Sequence, residues 1–119
     1  MSVAVANHHG YVNAVGPGFV QRLQPQAFVV MGWDSAHPTI PTLDNMLSKR
    51  LYPGNRDIFV TALKAENLIA TRRLAQITSG NGHVVVRVEP GGAKYQIVVL
   101  DNMTESNSIL SSHGPYLTS

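Results

Sequence analysis

The chain of 119 residues contains no cysteine, which excludes disulfide bonds, thiolate metal sites and cysteine nucleophiles together. This composition is compatible with a reducing compartment, and we expect a cytoplasmic protein. No apolar run approaches the roughly 20 residues that cross a bilayer, and the N-terminus has no positively charged region, so we expect no membrane association. A G-x-S-x-G motif is also absent, so nothing in the sequence supports a serine hydrolase.

Clustered positive charge is scarce as well. Nine Lys and Arg stand against seven Asp and Glu, and the only adjacent basic pairs are Lys49-Arg50 and Arg72-Arg73. Because a nucleic-acid-binding surface usually needs a concentrated basic face, we do not expect nucleic acid as a partner. What the chain does have is apolar material, at 44% of its residues, which is enough for the core of one compact domain.

Short apolar segments alternate with helical patterns along the first two thirds of the chain. The predicted elements are strand, helix, strand, helix, strand and helix over residues 2–7, 16–23, 27–31, 40–51, 57–61 and 65–77. The segment 27–31 is continuously apolar, as in a strand that is covered on both faces of a parallel sheet. Thr39 is the predicted cap of the second helix, and Pro53-Gly54 is its predicted end. The pattern therefore predicts an α/β fold built from β-α-β-α-β-α units.

The last third of the chain has a different character. Residues 84–88 and 95–100 are β-rich runs separated by a glycine-containing loop, which predicts an antiparallel β-hairpin. We assign residues 1–101 to a single α/β domain. Residues 102–119 are mostly Ser, Thr, Asn, Gly and Pro, and we interpret them as a polar tail that is flexible or exchanged with another copy.

Two groups of polar side chains follow the first two predicted strands. His8 and His9 come directly after the first strand, and Asp34 and His37 follow the second. Because the loops after parallel strands gather at one edge of the sheet, we expect these four side chains to lie near one another. Imidazole and carboxylate groups are ligands for zinc or manganese. We therefore take His8, His9 and His37 as candidate metal ligands and Asp34 as a candidate catalytic residue.

A simpler interpretation exists for each group. In this interpretation, His8 and His9 form a surface turn in which the imidazoles bond to the backbone. Asp34 and His37 would then belong to a loop that enters a helix, with Asp34 bonding to nearby backbone and Pro38 fixing the turn. The residue pattern alone leaves both interpretations open.

Three segments, taken in order, resemble the C-terminal part of metallo-β-lactamase-fold hydrolases, and in particular the branch related to the ComEC competence protein. They are Val3-Ala4-Val5-Ala6-Asn7-His8-His9-Gly10, the run 23–31 after an amphipathic helix, and Ser35-Ala36-His37-Pro38. The resemblance spans roughly residues 3 to 101. It implies half of an αββα sandwich, in which His8 or His9 corresponds to a late metal-ligand histidine of the family and His37 to the histidine of a His-Pro loop near the same site.

The resemblance also implies that most metal ligands are missing. These enzymes take them from an earlier His-x-His-x-Asp-His motif and a later aspartate, both on the N-terminal side of His-His-Gly, and the seven residues before His8 contain neither. A dinuclear site needs a full set of ligands to hold both ions and activate a water. We therefore expect a stand-alone remnant or module related to metal-dependent hydrolases, not catalytic alone, that binds a small ligand at the edge with His8, His9 and His37. The alternative is a metal-dependent hydrolase of phosphoesters or related esters, completed by a separate N-terminal half.

The implied half-sandwich predicts association. In the complete fold, one face of this sheet would pack against the sheet of the other half, and the same face left alone would expose a large apolar surface. We expect a homodimer or higher homo-oligomer to cover that face. A partner chain that supplies the N-terminal half is the alternative.

Overall fold

The structure, a computed structural model, describes residues 1–11, 14–33, 37–64 and 76–119. Its elements are β1 (Val3–Val5), α1 (Pro17–Leu23), β2 (Ala27–Val30), α2 (Ile40–Leu47), β3 (Asp57–Val60), β4 (His83–Val88), β5 (Lys94–Leu100) and β6 (Ile109–Leu117), with a short 3-10 turn at Asn7–Gly10. The predicted α/β class is confirmed. The third predicted helix, residues 65–77, falls almost entirely outside the described residues. None of the described helices is long and apolar enough to cross a membrane.

The first three strands form a parallel sheet in the order β1-β2-β3. Ala27 in β2 lies opposite Val3 of β1 on one side and Asp57 of β3 on the other. All four residues of β2 are buried, as the continuous apolar run predicted for a strand covered on both faces. The carboxyl ends of these strands consequently lie at one edge of the sheet.

The last three strands form an antiparallel sheet in the order β4-β5-β6. The hairpin of β4 and β5 is the one that the sequence predicted, with Val84 opposite Val99. The prediction of a polar tail over 102–119 needs correction, because residues 109–117 form β6 and pair with β5 of the same chain. As an edge strand, β6 needs few apolar residues and tolerates Pro115, so its composition resembles that of a loop.

Two apolar clusters cover the two faces of the parallel sheet. On one face, Phe28 and Ile58 pack with Val20 of α1 and with Leu43 and Met46 of α2. The cluster on the opposite face comprises Ala27, Phe59, Tyr95, Ile97 and Val99, so that β5 covers this side. The exposed sheet face that the half-sandwich argument predicted is therefore covered by the chain's own antiparallel sheet.

The second helix begins at its predicted cap and ends earlier than predicted. The Thr39 hydroxyl accepts the backbone N–H of Thr42 at 3.4 Å. The helix stops at Leu47 rather than near residue 51. The guanidinium of Arg56 donates to the carbonyls of Met46 and Ser48, at 3.1 and 2.9 Å. These bonds satisfy carbonyl groups at the helix end and stabilise the turn that leads to β3.

Candidate functional site

The carboxyl edge of the parallel sheet brings together two of the predicted site residues. The rings of His9 and His37 are stacked, with centroids 4.9 Å apart and planes inclined by 26°. Trp33 lies on another side of His9, at a centroid distance of 4.1 Å. The segment after β1 therefore meets the segment after β2, as the parallel arrangement predicted.

The turn that carries His9 has an unusual backbone. His8, His9 and Gly10 have successive φ values of 47°, 55° and 70°, all in the left-handed region. Residues with a Cβ adopt this region at a cost of roughly 1 to 2 kcal/mol each. Gly10 meets a further restriction, since a Cβ there would lie 3.0 Å from Cβ of Pro38. Three left-handed residues bend the chain sharply, and such strain is concentrated at functional sites in proteins.

The hydrogen bond of His9 determines which of its ring nitrogens is available. Its Nδ1 lies 2.8 Å from the carbonyl oxygen of Met31. Because a carbonyl can only accept, Nδ1 carries the proton, and Nε2 of the neutral ring keeps its lone pair. Metal-binding histidines commonly donate their other ring N–H to a carbonyl or carboxylate in this way. His9 therefore has the tautomer of a ready metal ligand.

His37 has the opposite arrangement. Its Nδ1 accepts the backbone N–H of Trp33 at 3.3 Å, so in the neutral ring the proton resides on Nε2. The side chain is only 8% exposed. Neither nitrogen of this tautomer offers a free lone pair to a metal. His37 instead fixes the start of the loop after β2 and contributes an N–H donor.

The remaining candidates do not complete a metal centre. The exposed His8 has its ring centroid 6.3 Å from that of His9 and makes an edge contact with Tyr11 at 5.5 Å. Asp34 lies outside the described residues. Within the ranges that the structure describes, no group of three or more His, Cys, Asp or Glu is arranged to hold a metal ion. At the described edge, the hydrogen bond of His9 leaves Nε2 of this imidazole available to a metal.

Two residues at this edge were not among the predicted site residues. Trp33 is 61% exposed although it contacts both His9 and His37. A tryptophan shortly after the predicted buried strand was the sequence signal that could have indicated this residue. Thr61 follows β3, and its hydroxyl accepts the N–H of Gly32 at 3.1 Å, which ties the third strand to this edge. No comparable pattern in the sequence indicated that contact.

The described groups with shifted pKa values lie elsewhere, chiefly near the amino ends of the parallel strands. The hydroxyl of Tyr116 donates to Oδ2 of Asp57, the first residue of β3, at 2.5 Å. Burial raises the pKa of Tyr116, and the hydrogen bond and charge of Asp57 raise it further. Tyr95 stacks on Tyr116 and donates to Oε1 of Gln26 at 2.6 Å. These bonds join the C-terminal strands to the parallel sheet, which is a structural role.

No protein-family model, curated protein or solved structure matches this chain.

Proposed function

We propose that this chain is a module of the metal-dependent hydrolase type that carries one part of a metal site and does not hydrolyse substrate alone. The observation that carries the proposal is the bond from His9 Nδ1 to the Met31 carbonyl, which leaves Nε2 of His9 as a ligand. The helical layer on one face of the parallel sheet, with His9 at the carboxyl edge of that sheet, supports the same proposal. A small ligand would bind beside the stacked rings of His9 and His37.

The described residues do not fit a complete metal centre. A catalytic zinc site takes three protein ligands and leaves one position for water or substrate. His9 supplies one such ligand, whereas His37 is occupied by the N–H of Trp33. For this reason, we expect no metal-activated hydrolysis by this chain alone.

The second candidate is a phosphoester or related ester hydrolase completed by another chain. The same bond of His9 favours it, because a backbone carbonyl holds the ring as it does in assembled metal sites. In such a complex, His9 would donate Nε2 to the metal, and the other chain would supply the remaining ligands. Trp33 and His8 are exposed at this edge and would face the added chain.

Metal binding and hydrolysis by the full chain test the proposal. We expect chelator-treated protein to bind zinc or manganese too weakly to retain it through gel filtration, and to leave bis(p-nitrophenyl) phosphate intact. His9→Ala should remove more of the weak zinc affinity than His37→Asn, whose amide can still accept the Trp33 N–H. His83→Ala changes an exposed histidine in β4 and is the matched control.

Two results would contradict the proposed module. The first is at least one zinc or manganese ion per chain that survives gel filtration and depends on both His9 and His37. The second is hydrolysis by the isolated chain that His9→Ala abolishes. Metal-free protein whose stability is unchanged in chelator agrees with the proposal.

A further inference from the structure

The strand β4 leaves an apolar edge of the antiparallel sheet open. Val84, Val86 and Val88 lie opposite Val99, Ile97 and Tyr95, and thus point to the same side as those core residues. All three of the β5 residues are buried, whereas Val86 is 40% and Val88 is 63% exposed. Among the residues that the structure describes, the apolar surface of the core therefore continues to the β4 edge, where Val86 and Val88 stay exposed.

The hydrogen bonds of the β4–β5 hairpin determine which backbone groups point outwards. The N–H of Glu89 donates to the carbonyl of Lys94 at 2.9 Å. Bonded and non-bonded pairs alternate along an antiparallel ladder, so Arg87 and Val85 also face β5. It follows that Val84, Val86 and Val88 direct their N–H and C=O groups to the free edge.

The two edges of this sheet differ in how well they are protected. β6 contains Gly114-Pro115, and its register with β5 is interrupted at two places. Proline and bulges are common protections of natural edge strands against pairing with another chain. β4 contains no proline, and its register with β5 is regular from His83 to Val88. The β4 edge therefore has the features of a strand that pairs.

We propose that β4 pairs antiparallel with β4 of a second copy, with Val86 opposite Val86, so that two three-stranded sheets become one sheet of six strands. In this register Val84 faces Val88 of the second copy, so all outward N–H and C=O groups of the three valines are paired. Arg87 faces Val85, and His83 faces Glu89, so that an imidazole lies opposite a carboxylate. This surface is independent of the function proposed for the His9–His37 edge.

Neighbouring registers are less favourable for identifiable reasons. A shift by one residue sets outward-pointing backbone groups against groups that already bond to β5, and no ladder forms. Shifting by two residues one way places Arg87 opposite Arg87 of the second copy, and like charges directly opposite each other destabilise a strand pair. Shifting the other way places His83 opposite Arg87, so that the contact between His83 and Glu89 is lost.

Cysteine cross-linking tests the register. The chain contains no cysteine, so Val86→Cys introduces a single thiol. Bonded antiparallel pairs have Cα atoms about 5.5 Å apart, which is within the range of a disulfide. We expect Val86→Cys to form a disulfide-linked dimer under mild oxidation and Val85→Cys, whose partner would be Arg87, to form far less. Equal cross-linking of the two variants would overturn the proposed register.

Proline substitution tests the hydrogen bonds. Val86→Pro removes an N–H that points away from β5, so the hairpin ladder is kept while both bonds of the central pair between the copies are lost. Leu117→Pro is the matched control: the bond from the Thr118 N–H to the Ala93 carbonyl places the N–H of Leu117 on the outer side of β6. Light scattering across a tenfold concentration range should show a dimer for the wild type and the control. For Val86→Pro, we expect a dissociation constant at least about tenfold higher.

Two outcomes would contradict the β4 interface. The first is a wild-type chain that is monomeric at every concentration. The second is a Val86→Pro variant that keeps its circular dichroism spectrum and dimerises like the wild type. If Val86→Pro fails to fold, the comparison of Val86→Cys with Val85→Cys decides instead.

Discussion

The conformation of single residues positions the His9 imidazole. His8 and His9 both adopt left-handed φ values, which are uncommon for residues that carry a Cβ. The contacts that hold them there are the bond from His9 to the Met31 carbonyl and the bond from the Thr39 N–H to the Gly10 carbonyl. The strain of the turn is therefore offset by its attachment to the segments after β2.

Gly10→Ala should destabilise the protein by about 1 to 3 kcal/mol, because the new Cβ combines a left-handed φ with a 3.0 Å approach to Pro38. The same substitution at Gly18 is the control, since Gly18 lies in α1 and a Cβ there meets nothing within 4 Å. Gly18→Ala should be neutral or stabilising by up to about 1 kcal/mol. Urea denaturation of both variants measures the difference, and a loss for Gly10→Ala no larger than that for Gly18→Ala would argue against strain at the turn.

The sequence predicted where His9 and His37 lie better than it predicted which ring nitrogen of each carries the proton. The meeting of His9 and His37 follows from two strands that run in the same direction, and periodicity is enough to predict that. Their tautomers depend on whether a carbonyl or an N–H lies beside each Nδ1. That detail is set by the turn at His8–Gly10 and the loop at Trp33, where no sequence pattern specifies the backbone.

Among the elements, α2 is the one that connects the sheet edge to the helical layer. The hydroxyl of Thr39 donates to the hydroxyl of Thr42 at 2.8 Å. The Thr42 hydroxyl in turn lies 3.3 Å from the carbonyl of Tyr11 and 3.4 Å from that of Ala14. The first turn of α2 therefore bonds to the segment that follows the His-His-Gly turn. A change at the Thr39 cap should therefore affect both α2 and this segment.

Thr39→Ala should lower the free energy of unfolding by about 1 kcal/mol, because the N–H of Thr42 loses its acceptor at the start of α2. Thr39→Ser keeps the oxygen and should retain most of the stability. Urea denaturation with circular dichroism measures both variants. The role of the cap would be disproved if serine and alanine had the same effect.

Helices and strands were predicted well where apolar periodicity is strong. They were predicted poorly where contacts with other segments determine the end of a helix or the pairing of a strand. β2, β3 and the β4–β5 hairpin have continuous or alternating apolar runs and were found close to their predicted places. The end of α2 was predicted too late, since the carbonyls there bond to Arg56, which follows them by ten and eight residues and lies outside the periodic pattern. β6 was missed because an edge strand forms against an existing neighbour, and Gly114-Pro115 obscures its pattern.

For the molecule as a whole, the junction between the two sheets combines apolar packing with the hydrogen bonds of Asp57 to Tyr116 and Thr78, which we call the clasp. Phe59 of the parallel sheet packs with Ile97 and Val99 of the antiparallel sheet. At the amino end of β3, Asp57 accepts from Tyr116 on one oxygen and from the hydroxyl of Thr78 on the other, at 2.5 and 3.0 Å. This clasp attaches the last strand of the chain to the first sheet, so it should affect stability globally.

The clasp should make stability fall at high pH. The pKa of Tyr116 is raised in the folded protein by burial and by Asp57, so folding favours the neutral phenol. The contribution of a group with a raised pKa is complete below its unfolded value, about 10 for tyrosine, and is lost as the pH rises above that value. The pKa of Tyr95 is raised by burial and shifts stability in the same direction.

Tyr116→Phe should therefore lower the free energy of unfolding by about 1.5 to 3 kcal/mol near neutral pH, where a bond to a carboxylate is lost. The same variant should show a smaller decline than the wild type between about pH 9 and pH 11, because one of the contributing phenols is gone. Tyr95 and the buried Tyr52 remain, so the decline should be reduced rather than abolished. Urea denaturation at several pH values compares the two proteins. Parallel declines in both would show that ionisation of Tyr116 is not coupled to the folding of the two sheets.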